Sequence, residues 1–185
     1  MILFIDACVR ENSRTRRLAM RLLSKFNEAP VTLKLSETAL PRLDDNTQAE
    51  RSALCKAGDY SDPRFNFAKQ FAAADTIVIA APYWDFSFPA LLKEYIEAIC
   101  CSGLTFRYSE EGYPIGLCRA KTLYYVTTCG GALYHPECGF GYIKSLVTEM
   151  MGVKECVLIK AEGLDVIGND VEEILKKAEE IIDKM

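Results

Sequence analysis

The run TIVIAAP (Thr76 to Pro82) carries no charge and one hydroxyl. A strand with one wet face alternates apolar and polar residues, whereas a run this apolar belongs to a strand covered on both faces. The segment therefore points to a sheet layered between helices. Four further runs read as strands: ILFIDA (Ile2 to Ala7), the alternating VTLKL (Val31 to Leu35), KTLYYVTT (Lys121 to Thr128) and ECVLIKA (Glu155 to Ala161).

Helical periodicity fills the gaps between them. Leu18, Leu22 and Phe26 mark a first helix, with Ser13 placed to cap it. Further helical segments run over Thr47 to Ala57 and over Pro63 to Ala74, the latter started by Asp62-Pro63. Pro89 opens another, with Leu92, Tyr95, Ile96 and Ile99 on one side, and one from about Phe140 to Met151 stops at Gly152. The last covers Asp170 to Met185, with Val171, Ile174, Leu175, Ala178, Ile181 and Ile182 expected to face inward. Strands alternating with helices predict an α/β chain. Right-handed crossovers leave few topologies, of which a three-layer α/β/α sandwich with five parallel strands in the flavodoxin-like order 2-1-3-4-5 is favoured. At 185 residues the chain suits one domain, 1–185, interrupted by CSGLTFRYSEEGYPIGLCRA (Cys101 to Ala120), too long for an ordinary connection.

A net charge of −4 gives no sign of a nucleic-acid partner. No segment approaches the length of a membrane span and no signal peptide is visible, so a cytoplasmic protein is expected. The eight cysteines show neither a CxxC pair nor zinc-like spacing and should be thiols; no metal site is expected.

In this architecture ligands bind at the carboxyl ends of the strands. After the first strand, DACVRENSRTRR places Ser13, Arg14 and Thr15 at a helix start, where free amides and a partial positive charge suit a phosphate. Ser13 could equally be a plain N-cap, and the cluster Arg10, Arg14, Arg16, Arg17 a solvated face. After the third strand come Pro82, Tyr83, Trp84, Asp85 and Phe86, either a wall for a planar heterocycle or a hydrophobic plug. After the fourth, Thr128, Cys129, Gly130 and Gly131 form either a shelf that lets backbone approach a ligand or a simple turn. Nothing nearby would lower the pKa of Cys129. Together a phosphate seat, an aromatic wall and a glycine shelf fit one ligand, FMN.

The chain resembles the FMN-dependent NAD(P)H:quinone oxidoreductases and azoreductases. APYWDF is similar to that family's APMYNF, GLTFRYSEEGYPIGLCRAK to its GxTFRYTENGPxGLxxGKK, and TTCGG stands where the family has SRGG. The resemblance implies tightly bound FMN, with Ser13, Thr15 and the Arg14 backbone on the phosphate. It places Tyr83 to Phe86 along the ring system and ribityl chain, Thr128 to Gly131 on the other polar edge, and Tyr108 near the cofactor. It also implies NAD(P)H as co-substrate, a quinone or azo/nitro aromatic acceptor, and a homodimer with active sites at its interface, shaped in part by the 101–120 insertion. Asp85 and Cys129 depart from the family's Asn and Arg.

A hydride passed to flavin N5 and on to the acceptor in ping-pong fashion needs no acid–base triad. That suits a chain with a single histidine. His135 and Tyr108 are the candidate proton donors, although His135 also reads as an ordinary loop histidine. Two alternatives compete: a flavodoxin-like electron carrier, and a thiol sensor built on the vicinal Cys100-Cys101.

Overall fold

The computed structural model describes every residue from Met1 to Met185. In chain order the elements are β1 (Ile2–Asp6), α1 (Arg14–Leu23), β2 (Val31–Lys34), α2 (Asp45–Ala57), α3 (Asn66–Ala73) and β3 (Thr76–Ala80). There follow α4 (Ala90–Ile99), β4 (Phe106–Tyr108), β5 (Pro114–Gly116), β6 (Thr122–Thr128), α5 (Phe140–Ser145), β7 (Glu155–Ala161) and α6 (Val171–Asp183). Five strands pair in parallel in the order β2-β1-β3-β6-β7, which is the 2-1-3-4-5 order expected. Phe4 of β1 lies between Thr32 and Val78, so β1 and β3 form the middle of the sheet where the connection direction reverses.

Each central strand divides its side chains between two cores. Leu3, Ile5, Ile77, Ile79, Leu123 and Tyr125 point to one face, under α3, α4 and α5. Ile2, Phe4, Val78, Ala80, Val126 and Ile159 point to the other, under α1 and α6. Pleating sends neighbours to opposite faces, so a strand buried on both must be apolar at every position, as TIVIA is. Only β2, at the edge, keeps half its residues wet.

Several local expectations are corrected. The sequence reading gives five strands; there are seven, because the 101–120 insertion folds into an antiparallel hairpin of β4 and β5. Three-residue strands are too short to show periodicity. Helix α1 ends at Leu23, and Phe26 lies in the turn beyond it, edge-on to Tyr124 at 6.2 Å. The segment 140–151 is not one helix: α5 widens at Leu146–Met150 into a π-helical turn before Gly152, whose φ of +83° ends it. Ile181, expected inward, is 60% exposed, while Leu175, Ala178 and Ile182 are buried.

Candidate active site

The loop from β1 to α1 is held from below. Asp6 ends β1 fully buried, and the guanidinium of Arg16 donates to it. The same guanidinium donates to the carbonyls of Cys8 (2.7 Å), Arg10 (2.8 Å) and Glu11 (2.8 Å), and the Cys8 amide donates to Asp6 at 2.9 Å. Arg16 is thus neither a solvated arginine nor a ligand for an anion; it shapes the loop. Arg17 pairs outward with Glu172 and Glu179 of α6. Arg14 pairs with Asp165, and Arg10 makes no ion pair. Ser13 caps α1, its hydroxyl accepting from the Arg16 amide at 3.3 Å. That leaves the first-turn amides of Arg14 and Thr15 without helical acceptors. The buried Thr15 hydroxyl meets that of Thr128 at 2.6 Å, tying the helix start to the end of β6.

After β3 the chain makes a two-residue turn. Trp84 and Ser87 exchange both backbone hydrogen bonds (3.1 and 2.7 Å), with Asp85 and Phe86 at φ of +51° and +65°. A tight turn of this hand demands positive φ at both central residues. Asp tolerates that region; Phe does so at a cost of about 1–2 kcal/mol. Trp84 and Phe86 stand partly out in solvent on this turn, and Phe86 packs edge-on against His135 with ring centres 4.9 Å apart.

After β6, Cys129 is buried and Gly130 faces the loop that follows β7. That loop is stitched to the glycines: Leu164, Asp165 and Gly163 donate to the carbonyls of Cys129, Gly130 and Gly131 at 3.1, 2.8 and 2.8 Å. A Cβ on Gly130 would come within 2.5 Å of the Asp165 carboxylate, itself drawn in by Arg14 at 2.8 Å.

These loops enclose a cavity of about 380 Å³ at the carboxyl edge of the sheet. Of the residues singled out from the sequence, Ser13, Arg14, Thr15, Pro82, Tyr83, Trp84, Thr128, Cys129 and Gly130 line it together. Asp85, Phe86 and Gly131 lie outside the lining, the first two exposed at the tip of the turn. His135 is also outside but close: its amide donates to the Tyr83 hydroxyl at 3.2 Å, and its imidazole meets Glu137 at 2.8 Å. Tyr108 is exposed on β4, packed edge-on to Phe106, and does not reach the lining. Sequence reasoning missed Cys8, Val9, Asn12, Leu164 and Asp165. The last two come from a fourth loop, and the run EGLDVIGND that encodes it looks like an ordinary turn.

Both thiols in the lining are poor nucleophiles. Burial pushes Cys8 up to about 12 and Cys129 up to about 11, the latter helped by the nearby Glu162 carboxylate. Both therefore stay protonated near neutral pH, so the cavity offers hydrogen-bonding backbone and rings, not thiolate chemistry.

A family model described as flavodoxin-like fold (Flavodoxin_2) matches residues 1–185. An FMN-dependent NADH:quinone oxidoreductase 2 of Clostridium acetobutylicum is 35% identical over 95% of this chain and 92% of its own length. Among solved structures, the azoreductase AzrA superposes with a TM-score of 0.82 at 25% identity, covering 100% of this chain and 99% of that one. An azoreductase from Bacillus anthracis gives the same TM-score at 24% identity and the same coverage, which speaks to fold alone. The order of the five strands, the cavity at their switch point and a match along the whole chain agree, and the protein belongs to the Flavodoxin_2 family of flavodoxin-like folds.

Proposed function

We propose that the protein is an FMN-dependent oxidoreductase that takes a hydride from NAD(P)H and delivers it, by a ping-pong sequence, to quinones or azo/nitro aromatic acceptors. Its FMN-binding domain spans 1–185. The observation that carries this is the single cavity joining a helix start, an aromatic strand tip and a glycine turn. The relatives named FMN-dependent NADH:quinone oxidoreductase and azoreductase support the same chemistry.

The residues present fit FMN. Its phosphate would meet the Arg14 and Thr15 amides and the Ser13 hydroxyl, with Arg10, free of any ion pair, supplying charge at the rim. Tyr83 and Trp84 would flank the ring system. Thr128 and the Gly130 amide would face its polar edge, where glycine lets backbone come close. Bound FMN supplies the hydride acceptor, its N5; the protein supplies stacking, orientation and exclusion of water. Asp85 is exposed to solvent outside the lining, so water and salt screen its charge from the ring. His135, held at the rim through Tyr83 and Phe86, is better placed than Tyr108 to give a proton to an acceptor seated there.

Protein reconstituted with FMN should be yellow, bleach on anaerobic NADH or NADPH, and recover colour when a quinone is added. Steady turnover with the quinone marks an enzyme; bleaching without turnover would instead favour the flavodoxin-like carrier, and failure to take up FMN would sink both. Gly130→Val should weaken FMN binding about tenfold or more, because the new side chain enters the space of Asp165 and the shelf. The sheet ends at Thr128, so circular dichroism should stay unchanged.

A homodimer fits the exposed aromatic residues near the cavity mouth and on the insertion, among them Trp84, Phe86, Tyr108 and Tyr134. Sedimentation should then report twice the 20.7 kDa chain mass; a monomer at micromolar concentration would remove the dimer from the proposal.

A further inference from the structure

Cys100 and Cys101 are adjacent in sequence but belong to different neighbourhoods. Cys100 packs against the large core under α3, α4 and α5. Cys101 is buried in a small separate cluster with Phe65 and Ala68, walled by Leu54, Tyr60 and Leu104. Its sulfur partner is Cys55, in the last turn of α2, with the two Sγ atoms 3.6 Å apart. Neither lines the cavity described above.

The surroundings suit a thiol pair that reacts together. Cys55 is half-buried, so a small oxidant can reach the pair from its side, while Cys101 is sealed. Arg51, one turn before Cys55 on α2, donates to the Cys100 carbonyl at 2.6 Å, which sets a positive charge near Cys101 that draws its pKa downward. Burial, and next the contact with Cys55, outweigh it at Cys101 and push that thiol up to about 12, so Cys101 is silent until its partner changes. A disulfide requires the sulfurs to close to about 2.05 Å. Helix α2 can make that move: it buries no residue completely, and it ends at Gly58, whose φ of +67° breaks the helix just after Cys55.

We propose that Cys55 and Cys101 are an oxidisable dithiol whose disulfide, formed by hydrogen peroxide, clamps α2 to the first residue of the 101–120 insertion. The Cys55 sulfur, giving up its proton, attacks one peroxide oxygen. The O–O bond breaks, leaving Cys55 sulfenic acid and releasing water. The Cys101 sulfur then attacks the sulfenic sulfur; the S–O bond breaks and the hydroxide leaves as water with the Cys101 proton. Two thiols lose two electrons and one peroxide becomes two waters. A reducing thiol reverses the bond. The clamp does not depend on the flavin assignment, and its readouts involve no flavin.

Purified native protein is titrated with hydrogen peroxide until the exposed Cys138 is consumed, an internal gauge of oxidant strength. The product is alkylated under denaturing conditions and mapped by mass spectrometry. The expected result is a peptide joining Cys55 to Cys101, lost on treatment with dithiothreitol. Closing a loop of this length should also raise Tm by about 5–10 °C, a rise absent in Cys55→Ser. The proposal is overturned if Cys138 is oxidised while Cys55 and Cys101 remain alkylatable. It is equally overturned if Cys101 is found joined to Cys100, or if both thiols go to sulfonic acid without a link.

Discussion

Arg16→Met should destabilise the protein by about 3–5 kcal/mol, the usual cost of stranding one member of a buried ion pair. Asp6 sits at the carboxyl end of the central strand with 4% of its side chain exposed, and Arg16 is its only cationic partner. The same guanidinium satisfies the carbonyls of Cys8, Arg10 and Glu11. Methionine fills the stem's volume and removes all of these at once. For a chain of this length Tm should fall by roughly 10 °C. FMN affinity should fall too, because the loop that presents Ser13 and the α1 amides would lose its anchor. Arg16→Lys should rescue little, since one compact ammonium cannot reach four acceptors set out for a planar fork. The double variant Asp6→Asn, Arg16→Met separates the causes. If the stranded charge dominates, the neutral amide recovers a good part of the loss in a thermal melt. If the double variant is no better than Arg16→Met alone, the orphaned carbonyls are responsible and the ion pair is secondary.

The second large effect is expected at Gly116, far from the cavity. A Cβ there would lie 2.2 Å from both the Met151 carbonyl carbon and the Gly152 amide nitrogen. These are backbone atoms and cannot swing aside. Gly152 faces back with its own Cα against Gly116, in the left-handed conformation that glycine favours. The insertion hairpin is seated on the main body here, with the Cys118 amide donating to the Met151 carbonyl at 3.1 Å. Gly116→Ala should cost about 2–4 kcal/mol, or the hairpin should lift away to avoid the clash. Amide hydrogen exchange tells the two outcomes apart: lifting deprotects residues 104–118 while the sheet stays protected. FMN affinity should hardly change, because no residue of the insertion lines the cavity. An alanine variant with wild-type Tm and wild-type protection would mean that these backbones do not touch as described.

The two substitutions differ in how visible they are beforehand. Gly152 can be read as a helix stop, but nothing in GYPIG marks Gly116 as the residue it must face. Arg16 sits in a run of arginines that reads as either a solvated face or an anion site. It is neither, because the helical turn places it inward over Asp6 while Arg17 turns out to α6. Likewise the adjacent Cys100 and Cys101 suggest a pair, yet Cys101 meets Cys55, 46 positions away. Tyr108 and His135 follow the same rule: one sits in the TFRY motif and the other follows the glycine turn, and only the packing of Tyr83 and Phe86 brings His135 to the rim while Tyr108 stays on the hairpin.

By itself the sequence determined the sheet, the layers and the three loops that meet at its edge. Each of these rests on local physics: an unbroken apolar run must be covered twice, a capped helix start must leave amides free, and glycine admits close backbone. Crossover handedness then leaves few strand orders, the flavodoxin-like one among them. The tertiary structure alone decided which side chains face each other across connections of tens of residues: Asp165 over Gly130, Gly116 on Gly152, Cys55 on Cys101. Those contacts depend on where whole elements come to rest. That is a sum over both cores, and no local window of residues contains it.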